Sequence, residues 1–351
     1  MFVAPAGICV LAGLYAAVQL VLDPGDPSPG RLPDMHGILM VLGFLGTLIG
    51  LERAVALRRP WGYAAPLALG AGGLALVLPL PVIVGQILLV AGSGLTVAVL
   101  QALWGRQRDA ATATQVLAAM LAVGASGLWT RLEVAATLPW LAGFAVLTIC
   151  AERVELARVA LPTWAPRVLL SLAVALTAAV VAALVWPEVG TRVLGVVLAG
   201  MVGWLARVDV ARRTIHSCGL ARFATAALLL GYAWLAFVAL AWTVAGPPVS
   251  PAAYDSVVHA TFLGFAMSMV MAHAPVILPA VLRRPLPYHP VMWAPLVLLH
   301  AGLLLRVPVG NGLGLLGPWQ IGALSALVAV VSFLVCAAWS VLTASPEGRS
   351  R

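Results

Sequence analysis

The stretch Tyr254–Arg284, YDSVVHATFLGFAMSMVMAHAPVILPAVLRR, decides how the chain is read. It is long and apolar enough to cross a bilayer, yet it holds two histidines, His259 and His273. An ionisable residue inside a span is costly and marks a function or a partner. His259 lies one turn beyond Tyr254-Asp255. A comparable histidine, His36, follows Asp34-Met35 at the start of another span, MHGILMVLGFLGTLIGLER, so His36 and His259 form a candidate pair.

Composition around that stretch points the same way. Hydrophobic residues make up 62% of the 351 and charged residues 9%, more apolar sequence than a water-soluble core can bury. The fold class read from this is an all-α polytopic membrane protein. Apolar runs of roughly 18 to 25 residues number about twelve. They begin near Phe2, Met35, Gly62, Val82, Thr114, Leu138, Val168, Arg192, Phe223, Ala253, Val291 and Pro318. Pro and Gly clusters such as PGDPSPGRLPD, RRPWGY, GPPVSP and RRPLPYHP separate them. The whole of 1–351 reads as one transmembrane domain, with 344–351 a short cytoplasmic tail. The first span lacks the positive n-region of a cleavable signal and reads as a retained helix.

The formal charge of +8 does not indicate nucleic-acid binding, because the basic residues, all arginine, fall in short loops and at span ends. With the N-terminus in the cytoplasm, only Arg31, Arg131, Arg192 and Arg306 fall on the far side, which places both termini inside. Cys9, Cys150, Cys218 and Cys336 are scattered with no CxxC, which argues against a disulfide or zinc site. The expected partner of most of the surface is the lipid bilayer.

A repeat runs through the spans. Gly43-Phe44 precedes Glu52-Arg53, Gly143-Phe144 precedes Glu152-Arg153, and Gly264-Phe265 precedes His273, each at the same spacing. The second, sixth and tenth spans carry it. This suggests three pseudo-threefold-related four-helix units, with repeats centred on 35–57, 138–160 and 253–282.

A b-type haem needs two axial imidazoles, an apolar cleft and partners for its propionates. His36 and His259 supply the imidazoles from the starts of spans that run in the same direction. Gly37, Gly43, Ala260 and Gly264 would allow close approach to those helices. Arg306 and Arg131, with Trp129 and Trp140, lie at span ends where propionates would point. Taken singly, His36 reads as an interfacial hydrogen-bonding residue and His259 as a donor to a carbonyl. His273 precedes Ala274-Pro275, where it would satisfy a carbonyl freed by the proline or serve a second metal. It lies about 21 Å from His259 along the helix. His300, in the middle of the eleventh span, is a second-site candidate. Glu52-Arg53 and Glu152-Arg153 would form crosswise ion pairs, as a structural clamp or as a proton uptake route from the cytoplasm. The run Arg207-Val-Asp209-Val-Ala-Arg212-Arg213 suits anionic lipid.

HGILMVLGF (36–44), HATFLGF (259–265), the span count and the repeat together resemble subunit I of the haem-copper oxidases. More closely, they resemble the NnrS-like membrane proteins, described as haem- and copper-containing and linked to nitric oxide metabolism. The resemblance implies low-spin haem ligation by His36 and His259, a place in the bacterial inner membrane, and nitric oxide or a redox protein as partner. Copper is a weaker expectation. The sixth and seventh spans hold no histidine, and Thr261 stands where the oxidases' tenth span has a second histidine, so an oxygen-reducing binuclear centre is not expected. The expected function is a membrane haem protein acting in electron transfer or nitric oxide handling. A cofactor-free transporter of about twelve spans is the alternative, and an assembly partner is a third.

Overall fold

The computed structural model describes residues 3–24, 30–158, 160–209, 214–282 and 286–343; at 277–278 and 280–282 it describes the backbone alone. Among these residues the secondary structure is helical, and eleven helices are long and apolar enough to cross a membrane. They are α1 (Val3–Leu22), α2 (Arg31–Leu57), α4 (Val82–Arg106), α5 (Ala110–Leu128), α6 (Val134–Leu156), α7 (Ala165–Val185), α8 (Pro187–Val208), α9 (Gly219–Ala245), α10 (beginning at Pro251), α11 (Pro290–Asn311) and α12 (Leu316–Thr343). A further helix, α3 (Ala64–Val77), has 14 residues after a 3-10 turn and is shorter than these eleven. The chain is thus an all-α polytopic membrane protein. Phe2, Arg212, Arg213, Arg283, Arg284 and the tail at 344–351 lie outside the described residues.

Helix ends in an apolar medium must find partners for backbone groups that water cannot reach. The Asp109 carboxylate accepts from Thr112 N at 2.8 Å and starts α5, and Ser250 Oγ accepts from Ala253 N at 3.1 Å ahead of α10. At C-terminal ends arginines do the work. Arg106 Nη1 donates to Leu57 O at the end of α2 (2.8 Å), and Arg31 Nε donates to Leu76 O near the end of α3 (3.1 Å).

Two compact units make up the chain. The first comprises Met1–Trp204 with Ala239–Pro247. Within it α2 packs on α1, α3 and α4, α3 on α4, and α5 on α6 and α7. Small residues allow these approaches: a Cβ on Gly43 would meet Cys9 Sγ at 3.1 Å, and one on Gly143 would meet Leu121 Cδ1 at 2.7 Å. The second unit comprises Leu205–Val238 with Pro248–Arg351, where α11 packs on α10 and α12. Gly302, Gly310 and Gly322 are its contact points between α11 and α12. Large exposed side chains such as Leu11, Ile87, Val174, Leu240, Val297 and Leu342 are apolar, as a lipid-facing surface requires.

Among the described residues, three helices carry a π-helical segment. π-helical segments occupy Leu39–Gly46 in α2, Ala260–Met267 in α10 and Leu305–Asn311 in α11. The Gly-Phe pair stands at the fifth and sixth positions of the first two. The third Gly-Phe pair, Gly143-Phe144, lies in uninterrupted α-helix. The repeat is therefore closer between α2 and α10 than between either and α6. In the register set by Gly-Phe, His36 aligns with Val257, so the two histidines occupy positions two residues apart.

Candidate functional site

His259 ends the first α-helical segment of α10, directly before the π segment. Its Nδ1–H faces the Asp255 carbonyl at 2.8 Å and the Asp255 carboxylate at 3.1 Å, one turn back. Neutral imidazole has one donor and one acceptor nitrogen, so this contact places the lone pair on Nε2. Asp255 is held in turn by Arg306, through Nε at 3.0 Å and Nη2 at 2.5 Å. Asn311 Nδ2 (2.7 Å) and Trp319 Nε1 (3.0 Å) also donate to the carboxylate, and the Arg306 guanidinium stacks over the Trp319 ring. Arg306, considered from the sequence as a propionate partner, is thus spent on Asp255.

The π segment of α11 explains how Arg306 and Asn311 reach one carboxylate. In an α-helix residues five apart point about 140° away from each other. The i→i+5 bonding of a π-helix stacks them on one face. A local widening of the helix therefore aims both side chains at Asp255.

In the first unit, His36 Nδ1–H donates to Gly13 O of α1 at 2.8 Å, which also leaves its lone pair on Nε2. Gly13 permits this, since a Cβ there would meet Met40 Sδ at 2.5 Å. Gly43 and Gly264, candidates for lining a ring cleft, face protein: Cys9 and Gly73 cover the former and the Trp234 indole the latter.

His300 is buried with both nitrogens engaged. Trp234 Nε1 donates to its Nδ1 at 3.0 Å. Ser268 Oγ donates to Gly264 O at 2.6 Å and so accepts from His300 Nε2–H at 3.2 Å. His300 thus ties α9 to the end of the π segment of α10. Among the described residues, no three His, Cys, Asp or Glu side chains gather into a metal-ligating group. His273 is buried in α10, and Arg131 is exposed in the turn after α5.

The charged cluster centres on Arg53, which is 6% exposed. Its Nη2 lies 2.7 Å from Glu52 and 3.8 Å from Glu152, and its Nη1 lies 3.0 Å from Glu155 and 3.2 Å from Gln115 Oε1. Arg153, considered with Glu152 as a second pair, is half-buried and has interactions of its own. Glu155, Gln115, Asn311, Trp319 and Trp234 were not singled out from sequence. Glu155 had a legible signal, since it lies one turn from the Glu152-Arg153 pair on the same helix. The others are joined to their partners by long-range contacts that no local pattern announces.

Helices, apolar surface and buried polar clusters define an integral membrane protein with internal charged and histidine sites. The chain belongs to a family of unknown function, DUF8744, whose pattern it matches over residues 1–342. No curated protein and no solved structure matches it.

Proposed function

We propose that this protein is a haem b protein of the bacterial inner membrane, with His36 and His259 as axial ligands, acting in electron transfer or nitric oxide handling as the NnrS-like resemblance implies. The observation that carries the reading is the anchoring of His259. Its Nδ1–H is held by Asp255, itself fixed by Arg306, Asn311 and Trp319. Metal-ligating histidines characteristically donate one ring N–H to a carboxylate or carbonyl, which orients the ring and raises the basicity of the other nitrogen. His36, donating to Gly13 O, has the same tautomer. The donor set suits haem iron, and bound haem would supply one-electron redox chemistry. Both termini are assigned to the cytoplasm by the arginine distribution. Copper is left out of the proposal, because both nitrogens of His300 are already bonded. Any oxidoreductase activity and any redox partner would depend on the haem.

A second reading, a secondary transporter without cofactor, draws on the interrupted helices. The three π segments, with Pro275 and Pro308 inside helices, resemble the broken spans from which transporters build binding sites. The two readings separate on colour. A purified protein with a b-type reduced-minus-oxidised spectrum supports the first. A colourless, folded protein that drives solute uptake into liposomes replaces it with the second.

A further inference from the structure

The Arg53 cluster is unbalanced. Three carboxylates, Glu52, Glu152 and Glu155, lie within 4 Å of a single guanidinium. Among the described residues, the surrounding helices do not make up the difference. Arg106 is exposed and capped onto Leu57 O, and Arg108 is exposed and stacked on Trp104. Arg58, Arg59, Arg158 and Arg167 are exposed, and Asp109 is spent on its own helix start. Arg153 is half-buried with interactions of its own, and even if its whole charge were counted toward the cluster, three acids would stand against two guanidinium groups. Glu155 and Glu52 keep 35% and 25% of their side chains exposed, whereas Glu152 keeps 10% and lies farthest from the Arg53 charge. An unbalanced ion costs most where water is least available, so the excess falls on Glu152.

A second observation lies one helical turn deeper. A cavity of about one water molecule's size is lined by Ile49, Arg53, Thr96, Gln115, Phe144 and Thr148, among others. Among the described residues, Arg53 Nε and Gln115 Nε2 have no hydrogen-bond partner, although Gln115 is 2% exposed. A buried donor left without an acceptor forfeits the hydrogen bond it would make to water, so both groups call for a partner in that space. Thr96 Oγ1 donates to Gly92 O at 2.9 Å, so its oxygen remains an acceptor. Two donors and a hydroxyl acceptor around a space of this size are what a buried water requires.

We propose that Glu52, Arg53, Glu152, Glu155 and Gln115 form a hydrated proton-binding site, in which one proton is held as the neutral carboxyl of Glu152 and one water is held by Arg53 Nε–H and Gln115 Nε2–H. The reaction is the addition of one proton to a Glu152 carboxylate oxygen, with no other bond made or broken. The ligand is thus a proton, with water as its companion. The site does not depend on haem.

The test is infrared difference spectroscopy between neutral and alkaline pH on the full-length protein in liposomes. The wild type should lose a carboxyl C=O stretch on the alkaline side, sensitive to H₂O/D₂O exchange. Glu152→Gln, which mimics the neutral acid in shape, should fold and lack that band, while Glu155→Gln should keep it. In D₂O, an O–D stretch of an isolated internal water should be present and should vanish in Gln115→Leu. Absence of the carboxyl band in the wild type overturns the proposal, as does its persistence in folded Glu152→Gln. An internal-water band that survives Gln115→Leu overturns the hydration half. A haem spectrum, present or absent, moves none of these readouts.

Discussion

At the scale of single residues, the glycines of the repeat were legible in the sequence, but their purpose was not. Spacing alone picked out Gly43, Gly143 and Gly264. Each turns out to be a place where a neighbouring side chain sits against bare backbone. Gly264 is the tightest, since an added Cβ would lie 2.4 Å from Trp234 Cγ. Because that indole also donates to His300, Gly264→Ala should displace Trp234 and break the Trp234–His300 bond. We expect a loss of about 1–3 kcal/mol, as for overpacking elsewhere, read as a lowered unfolding temperature in detergent. Gly94→Ala, whose Cβ would meet nothing within 4 Å, should be neutral or slightly stabilising. Equal behaviour of the two variants would contradict this packing account. The Asp255 cluster lay beyond sequence reading because Arg306, Asn311 and Trp319 come from helices more than fifty residues away. What sequence offered was Asp255 one turn before His259, and that was the informative part.

At the scale of elements, span positions could be read because hydrophobicity and Pro-Gly punctuation are local signals. The π segments carry no such signal: LMVLGFLG and ATFLGFAM have the composition of ordinary membrane helix. A π segment amounts to one extra residue in an α-helical turn. Deleting Val309 within Leu305–Asn311 should therefore restore an α-helix with Arg306 and Asn311 four apart and still on one face. Deleting Val146 from the uninterrupted α-helix of α6 should rotate Glu152 about 100° away from Arg53. The first deletion should be tolerated and the second should abolish folded protein. Size-exclusion profiles of the two, side by side, test this, and an equal loss of folded protein in both would argue against the bulge interpretation.

At the scale of the whole molecule, eleven helices among the described residues meet the length and hydropathy of a membrane span, and α3 with 14 residues rises only about 21 Å. A full crossing needs about 30 Å of hydrocarbon thickness, which the preceding turn and local thinning would have to make up. Counting α3 as a crossing gives an even number of spans and puts both termini on the same side, which the proposal above takes to be the cytoplasmic one. Reporter fusions at the two ends should then both report a cytoplasmic location. Opposite locations would remove α3 from the set of crossings. The central functional claim rests on two imidazoles far apart in sequence, and its most direct test is haem content. The wild type should bind b-type haem with a low-spin spectrum, His36→Ala and His259→Ala should each lose it, and His300→Ala should retain it. Full haem content and an unchanged spectrum in folded His259→Ala would contradict the account.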